Sequence, residues 1–174
     1  MKELILGGVR SGKSRLAEQR ARDSGLDVVY IATARAGEEP ELLERIRMHR
    51  QRRPSTWHLI EEPYALAVTL RQQAAEHRCL LIECLTLWLT NLLCAQDTTC
   101  LARERDALLE TLPQLPGHII LVGNETGLGV VPLGELTRRF IDEAGTLHQE
   151  LARICDRVTF TIAGLGHPLK GTLP

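Results

Sequence analysis

The sequence predicts an α/β fold in which a mostly parallel sheet is covered by helices on both faces. Short apolar runs alternate with helix-forming stretches along all 174 residues, the pattern of strand–helix–strand units. Several of these runs are continuously apolar, as strands buried on both sides are. The first run leads straight into Gly7, Gly8, Val9, Arg10, Ser11, Gly12, Lys13 and Ser14, which fit the phosphate-cradling pattern G-x-x-x-x-G-K-[ST]. With no linker, repeat or low-complexity tract, residues 1–174 read as one P-loop NTPase-type (RecA-like) domain.

Leu4-Ile5-Leu6 is the opening strand, and Arg15 to Ala21 is rich in helix formers. Strand, glycine loop and helix direct backbone N–H groups and a positive helix end at one point. Lys13 adds a mobile charge for the β- and γ-phosphates, and the Ser14 hydroxyl is placed to ligate Mg²⁺. This is a nucleotide-phosphate site. The helix should stop near Asp23-Ser24-Gly25. Asp27 to Ala32 is a buried strand that delivers Thr33, Ala34 and Arg35 to its C-terminal end, where open α/β sheets bind ligands.

A helix is predicted from Glu41 to about Arg52, with Leu42, Ile46 and His49 on one face. Arg45, Arg47, Arg50, Arg52 and Arg53 surround His49, with Gln51 among them and Pro54 following. By residue type alone, a histidine on an apolar stripe is more often a packing residue and an arginine run more often a solvated face. Five guanidiniums around one imidazole also suit an anionic ligand.

Trp57 to Glu61 reads as a short strand and Ala65 to Ala75 as a helix. Cys79 to Ile82 is a central strand ending in Glu83, where P-loop proteins place the acid that holds Mg²⁺. Leu85 to Leu93 is an apolar helix with Thr86 and Asn91 as polar interruptions, and Leu101 to Leu112 is a further helix that Pro113 and Pro116 terminate. The buried strand His118 to Val122 empties into Gly123-Asn124-Glu125-Thr126-Gly127-Leu128-Gly129, a glycine-rich loop that reads as a functional connection. A long helix from Leu133 carries Leu136, Phe140, Ala144, Leu147, Leu151 and Ile154 as one stripe. Arg157 to Ala163 is the last strand, and Gly164 to Pro168 closes the chain.

With 21 basic against 22 acidic residues and 3% aromatics, neither a field nor a stacking surface favours nucleic acid. Five cysteines without a C-x-x-C pair read as reduced thiols. No apolar stretch is long enough to cross a bilayer, and the start leaves no room for a signal peptide, so the expected location is cytoplasmic.

Several of these stretches together resemble one family, the bifunctional adenosylcobinamide kinase/adenosylcobinamide-phosphate guanylyltransferases of cobalamin biosynthesis. The matches are Gly7 to Ser14, Tyr30 to Thr33, Arg45-Ile46 with His49-Arg50 and Arg53-Pro54, Trp57 with Glu61, Glu83 to Thr86 with Asn91 to Leu93, and Asn124-Glu125 with Gly127 to Gly129 and Val131-Pro132. The resemblance implies phosphorylation of adenosylcobinamide by ATP or GTP, then transfer of GMP from GTP to that phosphate through a GMP-histidine intermediate. It implies His49 as the nucleophile and nucleotide contacts at Gly7 to Ser14, Thr33 to Arg35, Arg50, Gln51, Arg52, Arg53, Glu61 and Glu83. It also implies a trimer. Met48 stands where some members have a second histidine, and Glu83 where some have Asp. The competing readings are a simple P-loop small-molecule kinase and a nucleotide switch. The chain lacks the Thr-Lys-x-Asp-type base-recognition signature of many switches.

Overall fold

The structure is a computed structural model that describes residues 1–35 and 54–172. In chain order the elements are β1 (Lys2–Gly7), α1 (Lys13–Asp23), β2 (Asp27–Ala32), β3 (His58–Glu61), α2 (Leu66–Gln73), β4 (Arg78–Glu83), α3 (Leu85–Leu93) and α4 (Cys100–Thr111). A 3₁₀ turn (Leu112–Gln114), β5 (His118–Asn124), α5 (Glu135–Ile154), β6 (Arg157–Ile162) and β7 (Leu165–Lys170) follow. The seven strands form one sheet in the order β3-β2-β4-β5-β1-β6-β7. All neighbours are parallel except β6 and β7.

Strand alternation sorts the apolar side chains into two cores. Leu4, Leu6, Val29, Ile31, Leu80, Ile82, Ile119 and Leu121 pack on one face against Leu66 and Leu70 of α2, Trp88 of α3, Leu108 of α4, and Leu147 and Leu151 of α5. Ile5, Tyr30, Leu81, Ile120 and Val122 turn to the other face, where Ala17 and Ala21 bring α1 close. The small residues at i and i+4 let that helix lie near the sheet. Trp88 is fully buried, and its indole N–H donates to the Tyr64 carbonyl at 2.8 Å. Each large side chain sealed in this way contributes about 1.5–3 kcal/mol.

The α5 stripe is buried at Ala144, Leu147 and Leu151, but Leu136 at its N-terminal end is 56% exposed, and the helix starts at Glu135 rather than Leu133. The predicted closing segment Gly164 to Pro168 is instead an added strand, β7. Ala163 and Gly164 both take left-handed φ (52° and 81°), which suits a tight turn joining antiparallel strands. Pro168 is tolerated because β7 is an edge strand. The predicted helix from Glu41 to Arg52 lies outside the described residues. Among the described residues no helix is long and apolar enough to cross a membrane.

Candidate active site

The glycine loop joins β1 to α1 at the C-terminal edge of the parallel strands. Arg10 and Gly12 adopt positive φ (58° and 99°), and the Ser11 N–H donates to the Gly8 carbonyl at 3.2 Å. Gly12 is the residue before the first helical turn, and the Leu16 N–H reaches back to its carbonyl at 3.0 Å. The loop therefore ends on the positive pole of an 11-residue helix. Lys13 is largely buried and folds back so that Nζ donates to the Gly8 carbonyl at 3.2 Å, which holds its charge over the loop. The turn between β6 and β7 braces the loop from below, with the Gly164 N–H donating to the Ser11 carbonyl at 2.8 Å.

Glu83 arrives from a different strand. β5 lies between β1 and β4, yet the Ser14 hydroxyl of α1 donates to Glu83 Oε1 at 2.7 Å. Cys79 and Leu81 of β4 face α1, and alternation carries Glu83 to that side as well. A hydroxyl and a carboxylate at this spacing are hard oxygen donors next to a phosphate cradle. They fit a small dication that keeps most of its waters and takes its remaining ligands from a nucleotide. Among the described residues no group of three or more acidic, histidine or cysteine side chains forms a closed metal cage.

The segment after β2 lies beside Glu83. The Thr33 N–H donates to the Glu83 carbonyl at 3.2 Å. Thr33 is fully buried, its hydroxyl donates to the Cys84 carbonyl at 2.7 Å, and it accepts the Cys84 N–H at 2.8 Å. Asn91 of α3 donates to the Thr33 carbonyl at 2.8 Å and to that of Pro63 at 3.1 Å. In this structure the Thr33 side chain ties the tops of β2 and β4 together. Ala34 is half-buried, and the exposed Arg35 guanidinium lies 5.6 Å from the Tyr64 ring centre. Burial, then the charge of Glu83, pushes the Cys84 thiol pKa up, so it stays protonated.

The P-loop, Ser14, Glu83 and residues 33–35 are thus brought to one edge. Glu61 shares that edge but ends β3, the outermost strand, four strand spacings or about 19 Å from β1. His49 and Arg50, Gln51, Arg52 and Arg53 lie outside the described residues. Two features beyond the predicted site set lie next to the loop. Asn124 ends β5 opposite Gly7, and its buried Oδ1 has no hydrogen-bond partner among the described residues. Glu125 follows it, with His148 of α5 nearby: Nδ1 of the buried imidazole is 3.7 Å from Glu125 Oε2. Burial pushes the His148 pKa down against the opposing pull of Glu125. The Asn-Glu pair after a buried strand was a visible signal. His148 had none, because in sequence it only interrupts an apolar stripe.

A family model described as "Cobinamide kinase / cobinamide phosphate guanyltransferase" matches residues 3–169. The chain belongs to this family. Among relatives of the cobinamide kinase/guanyltransferase family, the bifunctional adenosylcobalamin biosynthesis protein CobP of Pseudomonas aeruginosa is 66% identical over 171 residues, covering 98% of each chain. The corresponding CobU of Escherichia coli is 34% identical over 180 residues, covering 96% of this chain and 98% of its own. Among solved structures, the P4 protein of bacteriophage phi6 in complex with ADP aligns with TM-score 0.52 at 12% identity, over 95% of this chain and 53% of its own. The RadB recombinase aligns with TM-score 0.50 at 17% identity, over 91% of this chain and 73% of its own. These structures share the P-loop, RecA-like fold with this family.

Proposed function

We propose that the chain is a bifunctional enzyme that phosphorylates adenosylcobinamide with ATP or GTP and then moves GMP from GTP onto that phosphate, releasing pyrophosphate. The observation that carries this reading is its 66% identity, over nearly the whole of both chains, to the bifunctional CobP, combined with an intact P-loop. All 174 residues would act as one catalytic domain.

Each role follows from the chemistry of its residue. Residues 7–14 bind the triphosphate, with the Lys13 ammonium offsetting charge on the transferring phosphoryl oxygens. Ser14 and Glu83 are the residues that would hold Mg²⁺. When bound, the ion supplies positive charge to the phosphate oxygens. Thr33, Ala34, Arg35, Glu61 and the segment Arg50, Gln51, Arg52 and Arg53 complete the nucleotide contacts, and of these Thr33 acts by shaping the edge rather than by a free hydroxyl. His49 attacks the α-phosphorus as a neutral imidazole, so one difficult transfer becomes two easier ones. Trimeric assembly and a cytoplasmic setting belong to the same proposal.

Incubation with α-labelled GTP followed by denaturation tests it. The full chain should retain label as an acid-labile, alkali-stable adduct, and His49→Ala should lose both the adduct and guanylyl transfer while still phosphorylating adenosylcobinamide. A wild-type chain that phosphorylates the corrinoid but never takes up label would be a simple kinase. Label retained by His49→Ala would move the nucleophile elsewhere, with His58 as the next candidate.

A further inference from the structure

The two half-reactions make different demands on the protein. In guanylyl transfer the attacking groups are a neutral imidazole and then a phosphate oxygen, and neither must lose a hydroxyl proton to attack. In the phosphorylation step the attacker is an aliphatic hydroxyl, whose proton needs an acceptor within hydrogen-bond reach.

The carboxylates at this sheet edge have distinct positions. Glu83 accepts from Ser14. Glu62 accepts the N–H groups of Tyr64 and Ala65 and the Thr69 hydroxyl, which occupies it at the start of α2. Glu61 ends the outermost strand. Glu125 is joined to the start of the loop through its backbone: its N–H donates to the Gly7 carbonyl at 3.0 Å. One residue earlier, the Asn124 N–H donates to Thr86 Oγ1 at 2.8 Å, so the chain is clamped on both sides as it leaves β5.

The Glu125 side chain is also held. Oε1 accepts the Gly127 N–H at 2.6 Å, and Oε2 faces His148 Nδ1 at 3.7 Å. His148 fits because residue 123 is glycine. A Cβ there would stand 3.0 Å from His148 Nε2 and 3.1 Å from Leu6 Cδ2. The carboxylate is nonetheless 22% exposed, so a substrate hydroxyl arriving from solvent can reach it.

We propose that Glu125 is the general base of the phosphorylation step, with His148 as the residue that positions it. This rests on the kinase activity proposed above. The acceptor hydroxyl oxygen forms a bond to the γ-phosphorus as the bridging bond to the β-phosphate oxygen breaks. The nucleoside diphosphate leaves with that electron pair, and the hydroxyl proton passes to the Glu125 carboxylate. Glu125 has no part in forming the GMP adduct, so the two activities should separate at this residue in the opposite sense to their separation at His49.

The test compares the full-length wild type with Glu125→Gln and His148→Gln, using adenosylcobinamide with γ-labelled ATP for one activity and α-labelled GTP for the other. Glu125→Gln should lower kcat for phosphorylation by about 10²–10⁴-fold, with KM for ATP and corrinoid within about threefold, because the lost interaction belongs to the transition state. GMP-adduct formation should stay within about twofold of wild type, since its nucleophile needs no such base. His148→Gln should show the same pattern with a smaller fall, the mark of a positioning role. Phosphorylation by Glu125→Gln within about tenfold of wild type would overturn the base assignment, that being less than one such base contributes. Parallel loss of phosphorylation and adduct would also overturn it and make Glu125 a brace for the P-loop. A wild-type chain that phosphorylates no corrinoid would remove the kinase reading itself, and this proposal with it.

Discussion

Gly7→Ala and Gly8→Ala, one residue apart in the same loop, should behave very differently. Gly7 is the last residue of β1 and is paired with Asn124 on one side and Thr161 on the other. A Cβ added there would stand 2.5 Å from the Thr161 carbonyl oxygen and 2.6 Å from Ser11 Oγ. Both fall 0.4–0.5 Å inside the 3.0 Å that real Cβ contacts respect. Ser11 could rotate, but the Thr161 oxygen belongs to the backbone of β6, so the loop must lift from the sheet. Overpacking of this kind costs about 1–3 kcal/mol. At about 2–4 °C per kcal/mol for a chain of this length, Tm should fall by about 2–12 °C. The lift also shifts Lys13 and the loop N–H groups away from the phosphates, and GTP affinity should drop at least about tenfold, or 1.4 kcal/mol. At Gly8 a Cβ meets nothing within 4 Å, and its φ is not positive. Gly8→Ala should stay within about 0.5 kcal/mol of wild type in stability. Calorimetric melting of the three proteins, with titration of a fluorescent GTP analogue, measures both effects. If Gly7→Ala melts and binds nucleotide as Gly8→Ala does, the close approach of β6 to the loop is not what requires glycine at position 7.

Lys13→Ala should abolish both activities, because both need the triphosphate held and its charge offset at one P-loop; assays of each reaction check this, and near-wild-type rates in either would mean a second nucleotide site. Glu83→Gln should lower turnover in both reactions and shift the Mg²⁺ titration to higher concentration while the melting temperature changes little, since the amide oxygen can still accept from Ser14. An unchanged titration would remove Glu83 from the proposed Mg²⁺ site. His118 offers a pH test of stability. Burial foremost, with the positive charges of the N-terminus, Arg157 and Arg20, holds its pKa down at about 4, even though Glu3 Oε2 is 3.5 Å away. The folded protein favours the neutral ring, so this stability is fully present above the ordinary pKa near 6.5 and is lost as pH falls from there towards 4. Denaturant titrations at neutral pH and near pH 4.5 should differ by about 2–3 kcal/mol through this group. His118→Gln should remove most of that difference, and an equally steep loss in the variant would assign it to other groups.

Much of the candidate site was legible before any tertiary structure, because its pattern is local. The spacing of Gly7, Gly12, Lys13 and Ser14 sets a loop and a helix start whose geometry depends on neighbours a few residues away. The continuous apolar character of Val28 to Ile31, Cys79 to Ile82 and Ile119 to Val122 likewise announces strands covered on both faces. Glu83 could be placed at a strand end for the same reason. Its 2.7 Å contact with Ser14 could not, because that depends on β5 entering between β1 and β4. The role of Thr33 was hidden in the same way. In sequence Thr33 is only a residue at the end of a buried strand, and the bonds of its hydroxyl to Cys84, 51 positions further on, exist only in the folded sheet. β7 was missed because Ala163 adopts a left-handed φ that an alanine seldom takes and that propensity does not announce. The pairing of Glu125 with His148 arises only when α5 packs its stripe on the face of β5 where residue 123 lacks a side chain. Spacing along the chain determined the phosphate loop, the strands and the family. The contacts between groups far apart in sequence were decided by which strands lie side by side and which faces must be buried, and those are properties of the whole sheet rather than of any one segment.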